Sequence, residues 1–303
     1  MIKKIILISG LCMSYLNASD VSECIPIFRS ASLSAELQRE MFEKATWKED
    51  CPVKLERLKI LKISYFDFDG VQHNDGEMVV LDAVAERVLR IFRELYGLKF
   101  PISKIRRIEY YDGDDNASMT DNNTSAFNYR RIAGKPTISM HSYGVTIDIN
   151  PVQNPCVELP DSDFEHPDFS TVKISPAKGK DYLNRGNRRP GMIEDVIDII
   201  TSNGFTIWGG RWDDPIDWQH VQPSRSMAQL LALMTPEHAY ELFEMYVQES
   251  KLFNNIKSND DRFEVLYKAN PMNFMKSLSS NHSVLAINPD DAYTQIQGSI
   301  MNQ

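Results

Sequence analysis

His141 and Asp148 stand seven residues apart with one glycine, Gly144, between them, in the run Ser139-Met140-His141-Ser142-Tyr143-Gly144-Val145-Thr146-Ile147-Asp148. In a straight strand their α-carbons would lie roughly 23 Å apart, at about 3.3 Å per residue, and their side chains would point to opposite faces. If both serve one site, the chain must reverse between them, and Gly144 is the residue that permits a reversal. After such a turn Val145, Ile147 and Ile149 can face a core, while Thr146, Asp148 and Asn150 face a cleft. A His with an Asp seven residues on is common, and on its own such a pair is structural more often than metal-binding.

A second segment, Asp217-Trp218-Gln219-His220, adds weight. A catalytic zinc takes three protein ligands and keeps one position open, and His and Asp are suitable donors. Asp217 precedes His220 by three residues. If the backbone turns there, its carboxylate can reach an attacking water rather than the metal, which is the position of a general base. Arg130 is the candidate for binding a substrate carboxylate or stabilising a developing oxyanion. His73, His166, His238 and His282 have no comparable partners and read as surface or core residues.

The rest of the chain supports an exported globular protein. Lys3 and Lys4 precede an apolar stretch from Ile5 to Leu16, and Asn17, Ala18, Ser19 and Asp20 follow. That is the layout of a signal peptide cleaved after Ala18 or Ser19. The apolar stretch is too short to span a bilayer comfortably, so no stable membrane anchor is expected. Cys12 follows Leu11, where a lipidated cysteine would need a small residue. Cys24, Cys51 and Cys156 remain, and a Cys24–Cys51 bridge would tie down the N-terminal segment, although spacing alone proves no pairing. A net charge of −9 argues against nucleic acid or an anionic membrane surface as the main partner.

Periodicity predicts a strand over Leu55 to Asp69 and a helix over Val79 to Leu95, where Val80, Val84, Val88, Ile91, Phe92 and Leu95 recur at helical spacing before Gly97. Another strand is expected through Ile105, Ile108 and Tyr110, then a polar loop over 112–124 and a short strand over 145–150. A proline-rich loop leads to a helix over about 192–202, ended by Asn203 and Gly204. A strand over 205–208 follows. Thr235-Pro236-Glu237 is a helix start, and Tyr240, Phe243 and Val247 give that helix one apolar face.

Taken together, the runs Asn122-Asn123-Thr124-Ser125-Ala126-Phe127-Asn128-Tyr129-Arg130, Ser139 to Gly144, Ile147-Asp148-Ile149-Asn150-Pro151-Val152-Gln153-Asn154-Pro155 and Trp208-Gly209-Gly210-Arg211-Trp212, closing on Asp217-Trp218-Gln219-His220, resemble the VanY-type D-alanyl-D-alanine carboxypeptidases. These group with the L-alanyl-D-glutamate peptidases of phage endolysins and sporulating bacteria. The resemblance covers about residues 60–222. It implies zinc (Zn2+) held by His141, Asp148 and His220, with Asp217 as the base, Arg130 in the substrate and transition-state role, and Ser139 lining the site. The implied fold class is α+β, a small antiparallel sheet flanked by helices with the zinc in an open cleft. The chain then divides into a signal peptide (1–19), an N-terminal segment (20–59), the metallopeptidase domain (60–222) and a helical extension (223–303).

The implied partners are peptidoglycan stem peptides, cut by D,D-carboxypeptidase or L-Ala-D-Glu endopeptidase action in the periplasm or outside the cell, and the wall could be the cell's own or another's. Vancomycin-resistance dipeptidases of the group carry Glu where Asp217 stands, whereas the endopeptidase branch carries Asp. The residue after His220 is Val221, where the family usually has an aromatic, so an altered cleft wall is expected. A binding protein that keeps the fold without turnover is the alternative, and the intact set of Asp217, Arg130 and three ligands favours the enzyme.

Overall fold

Alternation of apolar and polar residues builds the first sheet. Phe28–Ser32 (β1), Leu58–Phe66 (β2) and Gln72–Leu81 (β3) pair antiparallel in that order. Leu58, Leu61, Ile63 and Tyr65 of β2 are buried. The β2–β3 turn is closed by Asp67, whose Oδ1 accepts from the backbone N–H groups of Asp69 and Val71 at 2.9 Å each, with Gly70 in the left-handed region. Helix α1 (Ala35–Glu43) starts on Ser34, whose hydroxyl accepts from Leu37 N at 3.2 Å. Helix α2 (Ala85–Gly97) lays Val88, Leu89, Ile91, Phe92 and Leu95 into the core. The computed structural model describes residues 25–132, 134–159 and 172–253, with side chains described to residue 248. The signal-peptide segment and the Cys24 end of the expected bridge lie outside them.

Val79, Val80 and Leu81 belong to β3, not to the helix expected from residue 79. Their spacing to Val84 and Val88 fits a helix by coincidence, and pairing with Leu58–Ile60 decides for the strand. The strand expected through Tyr110 shortens to Lys104–Ile105 (β4), while Ile108–Tyr111 turns as a 3-10 helix. Within the expected polar loop, Asp114 accepts from Ala117 N at 3.1 Å and starts a six-residue helix, Asp115–Thr120 (α3), before Asn123–Thr124 (β5) pairs parallel with β4.

The remaining strands are short: Ile147–Asp148 (β6), Cys156–Glu158 (β7), Lys173–Ser175 (β8), Ile207–Trp208 (β9), Ile216–Asp217 (β10) and His220–Gln222 (β11). They form two three-stranded sheets, ordered β6-β11-β9 and β10-β7-β8. The helix expected over 192–202 is a 3-10 turn, Ile193–Asp195, and then a single-turn helix, Ile197–Thr201 (α4).

The C-terminal helices, Arg225–Leu233 (α5) and Pro236–Phe253 (α6), join the same core through Met227, Leu230, Leu231, Leu242, Phe243 and Val247. Thr235 starts α6 as expected, its hydroxyl accepting from His238 N at 3.4 Å. Tyr240 is 42% exposed, so the buried face of α6 is Ala239, Leu242, Phe243, Tyr246 and Val247 rather than the stripe containing Tyr240. Residues 254–303 lie outside the described residues.

Arg57 locks this end of the chain to the first sheet. It donates to both carboxylate oxygens of Asp82 at 2.6 and 2.8 Å, and to the backbone oxygens of Met234 at 2.5 Å and Leu231 at 3.2 Å, satisfying carbonyls at the end of α5. Arg57→Met is expected to cost about 3–5 kcal/mol by leaving Asp82 buried and unpaired, read as a lowered midpoint in urea unfolding. Truncation after Pro223 is expected to give an insoluble or unfolded product, and a soluble truncate with an unchanged melting temperature would contradict this packing.

Candidate metal centre

The reversal required between His141 and Asp148 is made by a 3-10 turn over Met140–Tyr143. Ser139 starts it, its hydroxyl accepting from His141 N at 3.3 Å. Gly144 ends it at φ 66°, and its N–H donates to His141 O at 3.0 Å. A Cβ at Gly144 would sit 2.7 Å from Leu81 N, and that same N–H donates to Gly144 O at 2.8 Å. The glycine is therefore required twice, for its left-handed backbone and for its contact with β3.

Beyond the turn, β6 pairs antiparallel with β11 so that Asp148 lies directly opposite His220. Opposed residues of an antiparallel pair present their side chains on one face. His141, Asp148 and His220 are all buried, and one ligand atom from each lies within 4.8 Å of the others. The contacts are His141 Nε2 to Asp148 Oδ2 at 3.2 Å and His220 Nδ1 to Asp148 Oδ1 at 3.2 Å.

Both imidazoles are oriented from behind. His141 Nδ1–H donates to Ala126 O at 2.5 Å, and His220 Nε2–H donates to the Gln222 carboxamide oxygen at 2.7 Å. Those bonds leave the other ring nitrogen of each, an acceptor, aimed at the Asp148 carboxylate. His141 Nε2 and Asp148 Oδ1 are buried with no hydrogen-bond partner among the described residues. Acceptors facing one another at this distance repel unless a cation lies between them, so the donor set fits a divalent metal with N and O ligands. The electrostatics agree. Burial alone would raise the Asp148 carboxyl, but the two imidazoles hold it well below the usual carboxylate range. Burial would lower His220, but Asp148 overrides it and the imidazole is pushed up to about 9.

Asp217 lies on β10, opposite Cys156 of β7. Burial, reinforced by the Asp148 charge and opposed by His220, pushes its carboxyl up to about 6. Its Oδ1 is buried without a hydrogen-bond partner among the described residues. Burial and the neighbouring carboxylates push the Cys156 thiol far above its ordinary range, so it is a protonated thiol. Gly209 lets the chain close over Asp217, since a Cβ there would meet Asp217 O at 2.5 Å. The Trp212 ring stands 5.2 Å from the His220 ring, forming one side of the centre.

Arg130 is held from α3: its guanidinium donates to Asp115 Oδ2 at 2.7 Å, and its Nε is buried without a partner among the described residues. Its backbone N–H donates to Ser142 Oγ at 3.1 Å, which fixes it to the turn carrying His141. Asn150, expected to face a cleft with Thr146, is buried and structural instead. Its side chain donates to Pro101 O and Gly191 O and accepts from Ser103 N. Val221 is a core residue between Ile147 and Trp208, not part of a cleft wall, because side chains alternate along β11. His73 pairs with Asp67 at 2.7 Å and stacks on Tyr65. His166 and His282 lie outside the described residues.

Residues 133–223 match the family model described as D-alanyl-D-alanine carboxypeptidase. Over this span the chain is similar to the VanY-like D-alanyl-D-alanine carboxypeptidases. The chain thus carries a peptidase segment, and the matched span holds His141, Asp148, Asp217 and His220, while Arg130 and Asp115 fall before it. No curated protein and no solved structure matches the chain.

Sequence reasoning missed the supports of the His141–Asp148–His220 cluster: Ala126 O, Gln222 and Trp212. Gln222 had a readable signal, two residues from His220 and so on the same strand face. Gln222→Leu is expected to weaken metal binding by about 10–100-fold while leaving the fold intact, measured by competition with a chromophoric chelator. The wild type is expected to bind one zinc per chain, and His141→Ala and His220→Ala are expected to bind none. Equal zinc in the wild type and both variants by elemental analysis would refute the ligand set.

Proposed function

We propose that this chain is an exported zinc peptidase that hydrolyses peptide bonds in peptidoglycan stem peptides. The observation that carries the reading is the pair of imidazoles, each fixed from behind by a carbonyl acceptor, that turn their free nitrogens onto Asp148. His141, Asp148 and His220 would hold the ion. When bound, zinc supplies Lewis acidity, making water a better nucleophile and the scissile carbonyl a better electrophile.

The chain's own residues do the rest. Asp217, with one carboxylate oxygen uncommitted, accepts the proton of the attacking water and returns it to the leaving amine. Arg130, anchored by Asp115, binds a substrate carboxylate or the oxyanion that forms as water adds. Ser139 shapes the site by starting the turn that presents His141. Aspartate rather than glutamate at position 217 favours the endopeptidase branch. A protein that binds peptidoglycan peptides without turnover is the competing outcome.

Incubating the purified protein, with and without zinc, on defined muropeptides and weighing the products separates these cases. Loss of a terminal alanine means carboxypeptidase action, and a cut between the first alanine and glutamate means endopeptidase action. Binding without any product would leave the non-catalytic protein. Asp217→Ala is expected to keep its zinc and lose about 10²–10⁴-fold in kcat. If it lost zinc as completely as His220→Ala, Asp217 would be a ligand and not the base.

A further inference from the structure

The chain crosses between the two small sheets four times. Residues 149–155 join β6 to β7, 176–206 join β8 to β9, 209–215 join β9 to β10, and Trp218 and Gln219 join β10 to β11. Asp217 ends β10 and His220 begins β11, so the two stand on either side of that last joint. The carboxylate read as the base therefore belongs to the β10-β7-β8 sheet, whereas Asp148 and His220 belong to the β6-β11-β9 sheet. How the two sheets are held together decides where Asp217 stands relative to the other two.

Arg185 touches three of the four crossings. It lies in the 176–206 crossing, and its side chain is 14% exposed, so its donors must find partners within the protein. Nη1 donates to Gln153 O at 2.6 Å and Nη2 to Asn154 Oδ1 at 2.9 Å, which fixes the 149–155 crossing. The guanidinium carbon stands 4.9 Å from the centroid of the Trp218 ring, over the joint between β10 and β11. Glu194 accepts from Nε at 2.6 Å and from Nη2, which neutralises the cation and fixes its plane.

Trp218 passes this hold on to its neighbours. Its N–H donates to Pro155 O at 3.3 Å, and its carbonyl accepts from Trp208 Nε1 at 2.8 Å. Pro155 follows directly on the two residues that Arg185 bonds. A Cβ at Gly210 would meet Trp218 Cδ1 at 2.7 Å, so the indole is closed in on that edge. We propose that Arg185 is a positioning residue for Asp217: by bonding the 149–155 crossing and covering Trp218, it fixes the sheet carrying the base against the sheet carrying Asp148 and His220. The inference rests on the reading of Asp217 as the base, and the family resemblance gives Arg185 no role.

Arg185→Met removes the guanidinium and leaves Glu194 its other partner, Arg188 Nη1 at 2.9 Å. It is expected to retain zinc, since Arg185 touches none of His141, Asp148 and His220, to lower kcat about tenfold or more, and to leave KM within about twofold. In an Asp217→Ala background the same substitution should add little to the loss of kcat, while lowering the melting temperature equally in both backgrounds. A brace with no bearing on the base would cost the same kcat in both. Wild-type kcat or lost zinc in Arg185→Met, or an equal further loss of kcat in the Asp217→Ala background, would overturn the proposal.

A second readout needs neither zinc nor turnover. In the metal-free protein, the Trp208 indole N–H, bonded to Trp218 O, reports how firmly the joint is held. Its hydrogen exchange should quicken about tenfold or more in Arg185→Lys, because a single ammonium cannot serve Glu194, Asn154 and the Trp218 face together. An unchanged exchange rate would also overturn the proposal, even if Arg185→Met fails to fold. If the wild type cleaves no muropeptide, the peptidase reading fails, whereas the exchange rate still reports on the brace.

Discussion

Asp148 faces His220 across β6 and β11 because the register of that short pair is held from several sides. Ser125 and Asp148 exchange both backbone hydrogen bonds, N to O at 3.0 and 2.9 Å, on the other edge of β6. Val221, next to His220, is sunk into the core between Ile147 and Trp208. A slip of one residue would turn Val221 towards the centre and His220 into the core. The burial of Val221 and Ile147 thus fixes where the polar residues point. The hydrophobic effect sets the register, and the register makes the site.

Once the register is set, the centre is a concentration of electron pairs with little to neutralise it. A buried carboxylate and two imidazole nitrogens converge, and their remaining hydrogen-bonding capacity is spent outward, on Ala126 O and the Gln222 carboxamide. Burying acceptors without donors is costly, so a polypeptide keeps such a cluster only where something positive compensates it. The raised imidazole of His220 is the same preference expressed with a proton. A metal ion would compete for a place the protein already holds ready, and the supports behind the three side chains would matter as much as the side chains themselves.

The parts legible in the sequence are those where one residue type has a single physical use. Gly144 foretold a reversal because only a turn reconciles the spacing of His141 and Asp148, and the left-handed backbone is there. Thr235-Pro236 foretold the start of α6 for the same kind of reason. Illegible features depend on partners distant in the chain. Val79–Leu81 suit a helix as well as a strand, and only pairing with β2 decides. Asn150 could have faced a cleft, but Pro101, Ser103 and Gly191 close around it. Helix α3 hid inside a run of Asp and Asn because it is short and depends on the Asp114 cap rather than on an apolar stripe.

The span matching the family model begins at residue 133, yet the site cannot be built from that span alone. His141 is oriented by Ala126, Arg130 is anchored by Asp115, and Gly144 is pinned by Leu81 of β3, all before the matched span. On its far side, Met234 and Leu231 are tied through Arg57 to Asp82, beside the strand end that receives Gly144. The residues of the candidate site thus sit in a segment whose rigidity is supplied by both flanks. A catalytic constellation must be held to a fraction of an ångström, and short strands of two or three residues do not hold themselves. In this chain the longer β1–β3 sheet and helices α2, α5 and α6 form the frame, and the short strands of the centre are shaped against it.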